Sequence, residues 1–289
     1  MKNTIKQLIL FFVFTTLSSS LLANVLTIDA KTLSTELKTN KSVIIIDVQA
    51  ADVYAKQHIQ GAINIPHKSL YKDGPVEGQF KTSEELAAIF GEKGVSNTSK
   101  IILYDDGSQK YNSRVWWILK HLGATDVTLF HKENSQMESA RIPMTATPTK
   151  LKATTFAVNV NHDMNIDMAT LKSAVNDGGI VLLDNREQDE YNGVDKANKS
   201  KGHLPGAIFM NFKEILNANG SFKTKEEIIE VAAKFGATPD KNIVVYCQTG
   251  IKAAPVYVAL KEIAGFDNVK LYAGAYAEWA SINDNPIVK

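Results

Sequence analysis

Apolar residues in this chain gather in short, dense runs. Val43-Ile44-Ile45-Ile46-Asp47, Ile101-Ile102-Leu103-Tyr104 and Val127-Thr128-Leu129-Phe130 lie in the first half. Ile180-Val181-Leu182-Leu183-Asp184, Ile243-Val244-Val245-Tyr246 and Val269-Lys270-Leu271-Tyr272 lie in the second. Each is too short for a helix and rich in β-branched residues, which predicts strands buried on both faces, as in a parallel sheet. Helical stretches are expected at Ser113 to Leu122 and Ala253 to Ala264, each closed by a glycine, Gly123 and Gly265. Strands alternating with helices point to an α/β fold.

The two halves repeat one another. Ile101 answers Ile243 and Gly123 answers Gly265 at a constant offset of 142 positions. Upstream, Asp52-Val53-Tyr54 answers Asp189-Glu190-Tyr191, and His58-Ile59-Gln60-Gly61-Ala62-Ile63 answers His203-Leu204-Pro205-Gly206-Ala207-Ile208. Such self-similarity predicts two copies of one domain. We place them at residues 24–142 and 166–289, joined by an extended polar linker over 143–165 whose start is rich in Thr, Pro and Lys. The second copy carries a polar insertion at Asn192 to Lys201, expected to be a surface loop.

The first 23 residues differ from the rest. Lys2 and Lys6 precede an apolar run from Leu8 to Leu17, then Ser18, Ser19, Ser20 and a small residue at Ala23. This order predicts a signal peptide, cleavage after Ala23 and export, with a periplasm as the destination. No second long apolar stretch follows, so no stable membrane association is expected of the mature chain. With 289 residues, 44 % hydrophobic, 22 % charged and a net charge of +1, nothing global points to nucleic acid. The six histidines are scattered, and no Cys-x-x-Cys, His-Glu-x-x-His or Gly-x-Gly-x-x-Gly occurs, so neither a metal nor a cofactor is expected.

The chain has one cysteine, which rules out an internal disulfide and marks Cys247 as a buried passenger or a reactive thiol. It sits between a strand and a helix in Cys247-Gln248-Thr249-Gly250-Ile251-Lys252. Inward-turned amides and a helix N-terminus in such a loop hold anions. With Lys252 nearby, they are expected to lower the thiol pKa. In the first copy Asp105 stands opposite Cys247, and Gln49 opposite Arg186. That copy therefore lacks the nucleophile and one candidate cation, and is read as structural.

Taken together, Leu182-Leu183-Asp184-Asn185-Arg186, Gly202-His203-Leu204-Pro205-Gly206-Ala207, Val244-Val245-Tyr246-Cys247-Gln248-Thr249-Gly250 and Gly274-Ala275-Tyr276 to Trp279 resemble the tandem-domain rhodanese sulfurtransferases over essentially the whole mature length. The resemblance implies two rhodanese-like domains, each a mainly parallel sheet flanked by helices. It also implies ping-pong transfer of sulfane sulfur from a small anionic donor such as thiosulfate, through a persulfide on Cys247. The acceptor would be cyanide, a thiol or a protein thiol. Arg186 and Lys252 match family positions that bind substrate, and the loop Gln248, Thr249, Gly250 and Ile251 would cradle the outer sulfur. Gln248 and Thr249 match neither the basic pair of thiosulfate enzymes nor the Gly-Ser pair of mercaptopyruvate enzymes. A 3-mercaptopyruvate donor, or a sulfur-carrier or redox-sensing module without turnover, therefore stand as alternatives. A phosphatase of the same fold would need a longer loop ending in arginine. His58 and His203 occur in both copies, including the one without a nucleophile, so an architectural role is expected for them. Of Trp116 and Trp117, at least one is expected at the domain interface.

Overall fold

The computed structural model describes residues 26–194 and 200–289. The proposed signal peptide and the middle of the Asn192–Lys201 insertion lie outside the described residues. The first half runs β1 (Thr27–Ile28), α1 (Ala30–Thr39), β2 (Ile44–Asp47), α2 (Ala51–Lys56), β3 (His58–Ile59), β4 (Ile63–Asn64), α3 (Ser83–Glu92), β5 (Lys100–Tyr104), α4 (Lys110–His121), β6 (Asp126–Phe130), α5 (Asn134–Ser139) and β7 (Met144–Thr145). The second runs α6 (Met168–Asp177), β8 (Val181–Asp184), α7 (Gln188–Tyr191), β9 (Ile208–Phe209), α8 (Lys225–Lys234), β10 (Ile243–Tyr246), α9 (Ala253–Val258), β11 (Val269–Leu271) and α10 (Ala275–Ser281).

Two parallel sheets result, ordered β1-β6-β5-β2-β4 and β11-β10-β8-β9. The duplication is visible in register: Ile44 to Asp47 pair with Ile101 to Tyr104 as Val181 to Asp184 pair with Ile243 to Tyr246. Side chains alternate across each strand. Ile46, Ile101, Leu103 and Leu129 therefore face one side, Ile45, Ile102, Tyr104 and Phe130 the other. In the second half Leu183, Ile243 and Val245 face one side, Leu182, Val244 and Tyr246 the other. The first set from each half joins a single apolar cluster spanning both domains, with α4 packed on α9. The second sets form a private core for each domain.

Two sequence expectations need refinement. The first-half helix starts at Lys110, three residues before Ser113, because Gln109 turns the chain at φ 60°. The second helix ends at Val258, and Ala259–Ile263 continues as a π-helix. The linker is irregular but strapped to the first domain. Met144–Thr145 pair antiparallel with β3, Thr154 N–H donates to Gly91 C=O and Asn161 N–H to His121 C=O. Phe156 is buried against Phe90.

Candidate active site

The Cys247 loop leaves β10 at the carboxyl edge of the second sheet and enters α9, so the following amides point back toward the sulfur. The Lys252 N–H donates to Sγ at 3.2 Å. The N–H groups of Thr249 and Ala253 are directed at the same sulfur. On the other flank α10 holds the loop: Tyr276 N–H donates to Cys247 C=O at 2.9 Å and Ala277 N–H to Gln248 C=O at 3.1 Å. Gly250 turns the corner at φ +80°, a conformation that L side chains rarely adopt.

The first half contains the same loop with a carboxylate in place of the thiol. Asp105 accepts hydrogen bonds from the N–H groups of Gly107, Tyr111 and Asn112 and from Ser108 Oγ. At the 142-residue offset, Gly107 and Tyr111 answer Thr249 and Ala253. The amide cradle is thus a property of the fold, and each half places a different side chain in it. Burial, with Asp106 alongside, pushes the Asp105 carboxyl up to about 6.

The expected thiol pKa is corrected by burial. Cys247 is 1 % exposed. Desolvation pushes its thiol above the ordinary value, and the amides of Thr249, Ala253 and Lys252, then the Lys252 ammonium, oppose the rise without cancelling it. The sequence showed the amides but not the apolar cluster in which Cys247 sits.

Arg186, expected in the substrate site, is also corrected. It is fully buried, and each guanidinium nitrogen already has a protein partner. Nε donates to both Asp184 oxygens, Nη2 to Asp184 Oδ2 at 2.6 Å and to Gly202 C=O, and Nη1 to Ser200 Oγ. The guanidinium also lies 4.0 Å from the Tyr276 ring centroid. Gln49 does the equivalent work in the first half, donating to both oxygens of Asp47, while Tyr104 and Tyr246 hydroxyls donate to Asp47 and Asp184 at 2.7 and 2.6 Å. Arg186 fixes the end of β8.

Lys252 is part of the loop, but its ammonium turns to two carboxylates of the second domain, Glu190 at 2.9 Å and Glu187 at 3.3 Å. Of the other expected residues, Gln248, Thr249 and Ile251 are half-buried and Gly250 is buried. Gln248 Oε1 is enclosed with no donor. His58 and His203 stack on Tyr54 and Tyr191 and bond to those residues' carbonyls, a matched pair of structural contacts. Trp116 donates to Val127 C=O inside the first domain, and both tryptophans are buried in the shared cluster.

The first domain, expected to be structural and to wall one side of the site, reaches the loop through residues that sequence reasoning did not name. A Cβ built on Gly78 would fall 2.5 Å from Thr249 Cβ, so the Tyr71–Phe80 segment lies directly on the cysteine loop. A Cβ on Gly250 would fall 2.9 Å from Arg114 Cζ, placing that α4 guanidinium against the same loop. Tyr71 is half-buried beside them, its enclosed hydroxyl pushed up to about 12 by burial and close enough to feel both Arg114 and Cys247. The signal for Arg114 was present: an arginine on a helix whose neighbours Val115, Trp116, Trp117, Ile118 and Leu119 are all apolar.

With this geometry in view, the chain can be set beside known proteins. It is 26 % identical over 260 residues to a protein of Mycolicibacterium smegmatis named a putative thiosulfate sulfurtransferase, covering 87 % of this chain and 93 % of that one. It is 29 % identical over 246 residues to the thiosulfate sulfurtransferase of Corynebacterium glutamicum, covering 81 % of each. The crystal structure of SseA from Escherichia coli, described among 3-mercaptopyruvate sulfotransferases, superposes with a TM-score of 0.79 at 25 % identity, over 87 % of this chain and 99 % of that one. The rhodanese-like domain pattern matches twice, at residues 29–133 and 167–282. Duplicated sheets, duplicated amide cradles and this double match lead to one conclusion: the chain belongs to the rhodanese-like family, with two domains of that fold in tandem.

Proposed function

We propose that the protein is a sulfurtransferase that carries sulfane sulfur on Cys247. The observation that carries this reading is the lone sulfur at the focus of the amides of Thr249, Lys252 and Ala253. The Cys247 thiolate attacks the outer sulfur of thiosulfate. An S–S bond forms to Cys247, the bond from that sulfur to the sulfonate breaks, and its electron pair leaves with sulfite. In the second step cyanide or a thiol attacks the outer sulfur of the persulfide, and the thiolate of Cys247 departs. The amides lower the energy of the anionic sulfur in both half-reactions, as an oxyanion hole does for oxygen. With one cysteine in the chain, an external acceptor must remove the sulfur.

Thiosulfate is favoured as donor by the names of the sequence relatives and by the closeness of the site. A loop lysine, Lys252, is a point charge that suits a compact dianion. The kinship with SseA keeps that donor as the second reading. The experiment is thiocyanate formation from thiosulfate and cyanide, run beside 3-mercaptopyruvate, with the sulfur-loaded enzyme weighed by intact mass. Cys247→Ser should abolish both the activity and the added sulfur; a serine variant with parental rates would end the reading.

Export to a periplasm, proposed from residues 1–23, is tested by the N-terminus of protein recovered from that compartment. It should begin at Asn24, and an intact Met1 would overturn it. Among the described residues no helix is long and apolar enough to cross a membrane.

A further inference from the structure

Arg114 belongs to the domain without the nucleophile, yet its guanidinium lies against Gly250 of the cysteine loop. It is wholly buried, and Nε, Nη1 and Nη2 all lack a hydrogen-bond acceptor. The rings of Phe80 and Trp117 lie 5.7 and 5.2 Å from Cζ, offering their faces but no oxygen. Arginine keeps its charge in such surroundings, and an enclosed guanidinium without a counter-charge is strongly disfavoured. Contrast Arg186, equally buried, with every nitrogen engaged. Tyr71 Oη, also enclosed, lies within reach of both Arg114 and the sulfur and is a polar group turned to the guanidinium, a neutral oxygen rather than a counter-charge. A cation and a hydroxyl, with no anion between them among the described residues, border a loop built to hold one.

We propose that Arg114, with Tyr71, is the counter-charge for the anionic sulfur of the cysteine loop: a positioning residue supplied across the domain interface that favours the Cys247 thiolate and its persulfide. It acts on the sulfur through Gly250 and Tyr71. The inference rests on Cys247 being the sulfur-accepting group. It gives the first domain, which has no nucleophile, a part in the chemistry of the second. It also answers the desolvation of the buried thiol: the amides offset only part of that cost, and the neighbouring cation Lys252 is shared with Glu187 and Glu190. Other titratable groups bordering the arrangement are His67, edge-on to Tyr71 at 5.9 Å and stacked on Tyr111 at 4.2 Å, Lys81, which donates to Tyr71 C=O, and His121, stacked on Trp117 at 4.9 Å.

The test is the ionisation of the single thiol, followed by ultraviolet thiolate absorbance against pH with the Cys247→Ser protein as background. Arg114→Met should move the midpoint upward by about one pH unit or more, equivalent to about tenfold less thiolate at a fixed pH below it. Arg114→Lys should recover part of the shift, because the charge returns without the planar fork. Tyr71→Phe should move it in the same direction by less, and it decides the matter if Arg114→Met does not fold. A titration of Arg114→Met superimposable on the parent, or of Tyr71→Phe should the first variant not fold, overturns the inference. That readout does not depend on sulfur transfer. A shifted midpoint beside a fully active Cys247→Ser would sink the proposed function and with it the persulfide, leaving Arg114 as counter-charge of the thiolate, whereas an inactive Cys247→Ser beside an unshifted midpoint would sink this inference alone.

Discussion

Replacing Arg186 by leucine would leave the Asp184 carboxylate fully buried, with only the Tyr246 hydroxyl and the Arg186 backbone N–H as donors. It would also strip the guanidinium from Ser200 Oγ and Gly202 C=O. Removing one partner of a buried ion pair costs about 3–5 kcal/mol, which for a protein of this size corresponds to a fall in Tm of roughly 6–20 °C. Arg186→Gln should be milder, at about 2 kcal/mol. The first half shows why: Gln49 reaches both oxygens of Asp47 beside the Tyr104 hydroxyl in the same backbone setting. Because Arg186 makes its bonds to Asp184, Ser200 and Gly202 rather than to the cradle, the glutamine variant should also keep the donor KM within a factor of about two, a change of ~0.4 kcal/mol. Scanning calorimetry and initial rates on the two variants decide the matter. An Arg186→Gln protein that melts with the parent but needs tenfold more thiosulfate would mean that the guanidinium meets substrate, and the structural assignment would be wrong.

Two further outcomes follow from the charges around the loops. Asp105 binds a proton more tightly folded than unfolded, so its contribution is most favourable below pH 3.8 and is lost as pH rises through about 6. His67, which burial lowers to about 4, has the opposite slope over an overlapping range, so the comparison must be variant against parent. Asp105→Asn should gain on the parent by up to ~3 kcal/mol between pH 4 and pH 7, read from urea unfolding at both; a pH-independent difference would refute it. Lys252→Ala removes the ammonium that holds Glu190 and Glu187 beside the cysteine loop. It should raise the thiosulfate KM by about tenfold and the cyanide KM by less; steady-state kinetics showing the reverse order would take the lysine away from the donor step.

How much of this could be read from the residues depends on distance along the chain. The strands, the duplication and the cysteine loop are local patterns, and β2, β5, β8 and β10 fall where their β-branched runs lie. Alignment of Arg186 with Gln49 was also sound, but its meaning was not. Both donate to a strand-end aspartate, so the difference marks two solutions to one structural need rather than a lost substrate contact. Side-chain direction separates these possibilities, and no spacing encodes it. The thiol's burial was hidden for a related reason. Tyr71, Gly78 and Arg114 become neighbours of Cys247 only when α4 packs on α9, a contact between halves that each read as self-contained domains.

Asp105 casts the duplicated architecture in another light. In the first half the anion is permanently tethered to the chain, so that loop is always occupied and never reactive. In the second half the place is held by a thiol, which the proposed reaction would alternate between one sulfur and two. A similar trap of inward amides thus holds a built-in carboxylate in one place and a thiol in the other, on loops that share only their last residue, Lys110 and Lys252. Divergence between the halves needed no new fold, only release of one loop from holding its own charge.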